Sequence, residues 1–362
     1  MLPDRAGIVE TTSFPQIGWS RWKRFEVASF LGGAAFLGWI LARVGPARLA
    51  GQLAKVGWGF LVVLLLQAAP ILLNTLSWRI LLPAGRRVSV TILAPMLLAG
   101  EALNAVSPVG LVGGELVRVS LLRRRIPTGE AAGAVGLAAM AQFAGQILFL
   151  LSGLPIALVM VGAGRLRTGI ALAGVVSAVF LAVVLAVAAS PGCFAFGRRI
   201  LGRVGLAARL ARRIPPPVLE AAAGALETLR SRPRSFVLAV AASFAAWQMG
   251  AVETLLVLRF LGHPVGVATA LAVEVLSAAI EGALFFVPAR MGTQEGGRAL
   301  VFLILGLEPP IGLALALVRR AREIVWAIPG LVLLEVLRRR PEPLGARRRG
   351  LALTRGGRPL PD

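Results

Sequence analysis

The feature that most limits this chain is a succession of apolar runs, each about as long as a bilayer is thick. They fall at 25–44, 57–78, 88–107, 131–160, 168–190, 235–258, 267–287 and 311–335. A helix crossing the hydrocarbon core needs about 20 predominantly apolar residues. Each run is mostly Leu, Ala, Val and Gly, without two-residue alternation. That excludes an outer-membrane barrel, whose strands alternate lipid-facing and lumen-facing residues. Helices are the other way to satisfy backbone groups in lipid. The predicted fold is therefore all-α, a polytopic transmembrane helical bundle. Composition agrees, with 57% hydrophobic residues and a mean hydropathy of +0.80, above the roughly 45–50% apolar content of soluble domains.

Two further apolar stretches, 109–122 and 289–306, are too short and too rich in glycine to span. Each follows a helix predicted to end at a proline, Pro108 or Pro288. Broken segments at membrane depth are tolerated where they are buried in protein or line a polar cavity. Two broken, re-entrant helical hairpins are one reading; loops between ordinary spans are the other.

The segments outside the spans are short and basic. Residues 1–24 form an N-terminal segment without an apolar core or small-residue cleavage site, so no signal peptide is expected. Residues 25–335 form the transmembrane domain. Within it, the connector 191–234 carries nine arginines among Phe194, Phe196, Ile200, Leu201, Val204 and Leu210. That pattern suits a basic amphipathic helix on an anionic membrane surface, or a solvated linker. Residues 336–362 form a basic tail expected to be disordered. If both hairpins turn back, one side holds 27 basic residues: four before 25, three at 79–87, three at 123–125, nine at 198–234 and eight after 335. The other side holds six. The positive-inside rule then makes both termini cytoplasmic, in a bacterial inner membrane.

The net charge of +22 is thus accounted for by loops, not by a nucleic-acid-binding face. Cys193 and His263 are the only residues of their kinds, so neither an intramolecular disulfide nor a Cys/His metal site is expected. Ser107 has no histidine partner and no Gly-x4-Gly-Lys-Ser/Thr loop occurs. No cofactor, metal or catalytic residue is assigned, and an enzyme is not expected.

The most specific signal is a self-match at a separation of 180. Glu101, Pro108, Glu115 and Arg118 correspond to Glu281, Pro288, Glu295 and Arg298. Glycines recur nearby, Gly113 and Gly114 in one copy and Gly292, Gly296 and Gly297 in the other. If the first hairpin enters from the cytoplasm and the second from outside, the repeat is inverted, an arrangement used for alternating access around a midplane site. Charges at membrane depth are costly and mark functional paths. The transport path is therefore assigned to Glu101, Asn104, Pro108, Gly113, Gly114, Glu115, Arg118, Glu281, Pro288, Gly292, Gln294, Glu295, Gly296, Arg298, Arg319, Arg322 and Glu323. Spacing suggests the local pairs Glu115–Arg118, Glu295–Arg298 and Arg319–Glu323, one helical turn apart. Such pairs either line a path for a charged headgroup or neutralise one another within the packing. Arginine forks suit phosphate, and glycine pairs let backbone N–H groups approach an anion.

The run from Asn104 to Arg118, preceded by Trp78-Arg79, resembles the first signature of the lysylphosphatidylglycerol synthase transmembrane (flippase-like) family. Phe285 to Gly296 resembles the second. With Arg319, Arg320, Arg322, Glu323, Pro329 and Gly330, this end is most similar to its hopanoid-biosynthesis-associated branch. The resemblance implies lipid handling: a flippase or transporter of a hopanoid, polyprenyl or phosphorylated lipid. Its partners would be membrane lipids, both an anionic surface and a lipid substrate. The alternative is a non-transporting scaffold that gathers lipid-biosynthesis enzymes. The aminoacyltransferase domain of full-length synthases is not expected, since 27 residues follow the last span. Two departures stand out: Ala289-Arg290 in place of a frequent glycine, and Ala139 to Gln142 in place of Glu-Arg.

Overall fold

The computed structural model describes residues 46–106, 113–161, 228–283 and 293–339, with scattered positions from 164 to 182 and at 225. The run 25–44, nearly all of the connector before 228, the tail from 340, and Pro108, Pro288 and Gly292 lie outside the described residues. The regular elements of the described part are all helices, with no strand among the described residues. Its helices are α1 (Pro46–Val56), α2 (Gly59–Leu66), α3 (Ala68–Ile80), α4 (Val90–Val106), α5 (Gly113–Leu122), α6 (Thr128–Met160), α7 (Pro233–Phe260), α8 (Val267–Ala283), α9 (Thr293–Ile304) and α10 (Pro309–Arg339).

Local sequence accounts for several of these limits. Proline opens α7 and α10, where its missing N–H costs nothing and its fixed φ suits the helix. Glycine closes α7 and α9. Gly262 and Gly306 have φ of 86° and 71°, which places the next amide on the carbonyl five residues back, His263 to Leu258 at 2.9 Å and Leu307 to Phe302 at 2.8 Å. Pro70 breaks the run 57–78 at Gln67. Its ring crowds the carbonyl four residues earlier and it has no N–H to donate, so the helix is divided into α2 and α3.

Three described helical stretches are long and apolar enough to cross a membrane: Gly59–Ile80, Thr128–Met160 and Pro233–Phe260. Helix α10 has the length, at 31 residues, but carries charges at its middle. Side chains such as Leu65, Val159, Val237, Leu303 and Val332 are exposed, as lipid-facing positions on a bundle would be. Helices approach closely where side chains are small, the habit of membrane interfaces. At Gly145 of α6, a Cβ would stand 2.8 Å from the backbone of Phe244 in α7. At Gly330 of α10 it would meet the Leu98 carbonyl of α4 at 2.8 Å.

Two large apolar cores and two small clusters result among the described residues. One large core gathers Trp78, Leu93, Leu122, Leu137, Phe236 and Leu334. The other gathers Val63, Val161, Leu258, Phe302 and Leu315. Around the first core, polar contacts tie loops and helix ends together. Arg232 donates to the Leu82 carbonyl at 3.0 Å. Arg124 donates to the carbonyls of Leu337 and Arg338 at the end of α10, and Arg86 grips Glu130 with two hydrogen bonds at 2.8 and 3.0 Å. The hydrogen bonding and charge of Glu130 raise the Arg86 pKa above its ordinary value. This end of the bundle is rich in arginine.

The self-match in sequence extends to the helices. Val90, Gly113 and Thr128 open α4, α5 and α6, while Val267, Thr293 and Pro309 open α8, α9 and α10, close to 180 residues later in each case. Helix α10 packs along α4, and α6 along α8, so each trio's long helix contacts the first helix of the other.

Candidate functional site

Helix α10 carries Arg319, Arg320, Arg322 and Glu323 within little more than one turn of an otherwise apolar run. A helix turns about 100° per residue, so these side chains diverge and must find partners on different neighbours. Arg319 turns to α7 and α8. It donates to Glu274 at 2.7 Å, to the Gly250 carbonyl at 2.7 Å and to the Thr254 hydroxyl at 3.1 Å, and lies 3.4 Å from Glu253. The Thr254 hydroxyl donates in turn to Glu274 at 3.0 Å. Arg322 reaches Glu253 at 2.7 Å and the Gln67 side chain at the α2–α3 break. Arg320 faces α9, bonding Glu295 at 2.9 Å and Glu323 at 3.1 Å. Gln294 donates to Glu323 at 2.9 Å, and Arg298 of α9 bonds Glu281 of α8 at 2.9 Å.

Arg298, Arg319 and Arg320 are 3–4% exposed, and Glu253 and Glu274 3–5%. Buried charges persist when paired and hydrogen-bonded, and here every arginine meets at least one carboxylate. A cavity of about 210 Å³ opens against this network. Its walls are α7, α8, α9 and α10, closed on one side by Leu66, Gln67, Pro70 and Asn74 around the α2–α3 break. The kink is itself held by Trp326 of α10, whose indole N–H donates to the Leu64 carbonyl at 3.2 Å. A water's share of liquid volume is about 30 Å³, so the space has room for several waters or a small polar group.

The first copy of the motif is simpler. Arg118 of α5 bonds Glu115 at 2.8 Å and Glu101 of α4. Arg118 is buried, whereas the Glu101 side chain is half exposed. The positions that match Glu253, Glu274, Arg319 and Arg320 are Leu73, Ala94, Ala139 and Met140, so no comparable network forms. The two copies share the Glu–Arg link between their short helices, 101 to 118 and 281 to 298, and differ in what surrounds it.

The structure therefore brings Glu281, Gln294, Arg298, Arg319, Arg322 and Glu323 together around one cavity, with Glu295 beside them through Arg320. Glu101, Asn104, Gly114, Glu115 and Arg118 form a separate cluster between α4 and α5. Of the three local pairs expected from spacing, Glu115–Arg118 forms. The other two are corrected: Arg298 takes Glu281, Glu295 takes Arg320, and Arg319 takes Glu274 and Glu253. Contacts between helices outcompete those within one because α7 and α8 bring carboxylates to the buried face. The reading of Gly113–Gly114 as an anion cradle also changes. The Gly114 N–H is occupied by the Asn104 carbonyl oxygen at 2.7 Å, and a Cβ on Gly114 would collide with Gly100 and Asn104. Gly114 serves close packing of α4 on α5. Gly296 is exposed with open space around it. Sequence reasoning passed over Glu253, Glu274, Gln67 and Asn74. The two glutamates had a readable signal, since each is a charge inside a predicted span, Glu253 the only one in its run and Glu274 two turns before Glu281; the two amides had none.

A helical bundle with exposed apolar flanks and a buried Arg–Glu network around a polar cavity defines a polytopic membrane protein. The family described as the lysylphosphatidylglycerol synthase TM region matches residues 26–330, and the chain belongs to that family. The family relates it to lipid synthesis and flipping. Neither a curated protein nor a solved structure matches it.

Proposed function

We propose that the chain moves a lipid between leaflets, receiving the headgroup in the cavity beside α10 while the tails stay in the bilayer. The observation that carries this reading is the cavity itself: a polar space lined by charged side chains, walled by helices whose outer faces are apolar. Burying so many charges costs several kcal/mol per ion before pairing repays it; a bundle built only for stability would use apolar packing there.

Topology supports the same reading. Helices α4 and α5 leave from and return to the arginine-rich end, where Arg232 meets Leu82 and Arg124 meets α10. Helices α8 and α9 have their outer ends by Leu258 and Leu305, in the opposite core. In our reading these are two re-entrant hairpins in an inverted repeat, entering from opposite faces, with the arginine-rich end in the cytoplasm of a bacterium and the chain in its inner membrane. The protein acts without catalysis, and its substrate belongs to the hopanoid, polyprenyl or phospholipid classes.

The test is headgroup accessibility of labelled lipids in vesicles containing the purified chain, beside Arg298→Ala and Glu295→Ala variants shown to be folded. Rapid transbilayer exchange that both variants lose supports transport through this site. Absence of exchange for every lipid, with the protein folded, rejects transport and favours a scaffold of lipid-synthesis enzymes.

A further inference from the structure

We propose that the first copy of the motif is a proton-binding site, in which Glu115, set between Arg118 and the charge of Glu101, gains and releases one proton. The inference goes beyond the transport reading and stands without it; where that reading holds, the proton supplies a driving force.

The first ground is charge. Arg118 bonds Glu115 at 2.8 Å and also bonds Glu101, so one guanidinium serves two carboxylates and the cluster keeps an uncompensated negative charge. The second copy is built differently. Arg298 bonds Glu281, while Glu295, the counterpart of Glu115, has Arg320 of α10 at 2.9 Å. The position that matches Arg320 is Met140. Among the described residues, the helices packed on α4 and α5 do not make up the deficit. Helix α6 carries one ionisable side chain, Glu130, which Arg86 holds at the arginine-rich end. Helix α3 carries Arg79, exposed in its last turn. On α10, Arg319, Arg320 and Arg322 have carboxylates of their own, Glu323 among them. Its remaining charges, Glu335, Arg338 and Arg339, pair with one another at its end. The charges that act on Glu115 are those of Arg118 and Glu101.

The second ground is depth. In the orientation proposed above, Glu101 lies about three turns, or about 16 Å, into α4, halfway through a hydrocarbon core about 30 Å thick. An uncompensated charge is costly there, and uptake of a proton removes it. The Glu101 side chain is 51% exposed and that of Glu115 29%, so the pair is open to exchange. The Arg319–Glu274 pair, at 5% and 7%, has no such opening.

The third ground is coordination. Oε1 of each glutamate is on Arg118, and Oδ1 of Asn104 is taken by the Gly114 N–H. Oε2 of Glu115 is enclosed and has no donor among the described residues. A metal cation needs several oxygens turned to one point; a proton needs one oxygen and no cavity. It comes from water, forms an O–H bond at the Glu115 carboxylate and returns to water, so nothing else is consumed.

The experiment is infrared difference spectroscopy of the full chain in phosphatidylcholine vesicles. It follows the carbonyl stretch of a protonated carboxyl as the pH falls from about 8 to about 6, a range in which an ordinary glutamate stays charged. We expect one such band to appear, to be absent from Glu115→Gln and to persist in Glu130→Gln. In Glu101→Gln the remaining carboxylate and guanidinium balance, so the band should appear at a pH lower by at least about one unit. No band in the folded chain, a band that survives Glu115→Gln, or an unmoved titration in Glu101→Gln overturns the inference and leaves the transport reading standing. The expected bands in vesicles that show no lipid exchange uphold the proton site and reject transport alone.

Discussion

Arg319 ties three helices together, and removing it should show how much of the fold depends on the network. It bonds Glu274 of α8, the Gly250 carbonyl and Thr254 of α7, and stands on α10. In Arg319→Met the side chain keeps an unbranched apolar stem, is shortened by the guanidinium group and loses its charge. Glu253 retains Arg322 at 2.7 Å, but Glu274 keeps only the Thr254 hydroxyl. Breaking a buried pair from one side costs about 3–5 kcal/mol, because a charge is left uncompensated. At about 1.4 kcal/mol per tenfold, the folded-to-unfolded ratio should fall by roughly two to nearly four powers of ten. Replacing both partners, Arg319→Met with Glu274→Leu, should recover at least half of that loss, since an apolar substitute for the whole pair is often neutral. Denaturant unfolding of the purified protein in one detergent would measure the four corners of this cycle. A single variant costing under about 1 kcal/mol, or a double variant no more stable than Arg319→Met, would refute the assignment of a dry, mutually compensated pair.

Other outcomes follow from particular contacts. Arg118→Met should cost less than Arg319→Met in the same unfolding assay, because the Glu101 it leaves behind is half exposed and can be hydrated. Asn104→Ala frees the first-turn N–H of Gly114 and should destabilise by about 0.5–2 kcal/mol, the range for losing a side-chain cap. Gly145→Val forces a Cβ against the Phe244 backbone and should cost at least about 1–3 kcal/mol, or prevent folding; an unchanged midpoint would mean that α6 and α7 do not approach as described. For orientation, Ala84→Cys and His263→Cys, each in a Cys193→Ser background, should react with an impermeant maleimide from opposite sides of intact cells, Ala84→Cys only after the inner face is exposed.

The sequence by itself determined the class of fold. Runs of about 20 apolar residues without alternation admit only helices in lipid. The described helices α4, α6, α7, α8 and α10 lie where the runs at 88–107, 131–160, 235–258, 267–287 and 311–335 put them. The separation of 180 was also legible, because it is carried by charged residues and prolines that stand out from an apolar background. Pro70 sat inside a predicted span whose break was not foreseen, although the missing N–H at that position was readable.

Tertiary structure decided which charges meet. Spacing along one helix offered Glu295–Arg298 and Arg319–Glu323 as neighbours, and it was right only for Glu115–Arg118, where few competing carboxylates stand nearby. In the second copy, α7 and α8 deliver Glu253 and Glu274 to the buried face of α10, and an arginine deprived of water takes the partner that also satisfies its remaining donors. The cavity is likewise a property of the assembly. Gln67 and Asn74 come from a kinked helix some 250 residues before Arg322, and no local pattern relates them. Charge at membrane depth announces that a site exists; only the packing of the helices that bury it selects its members.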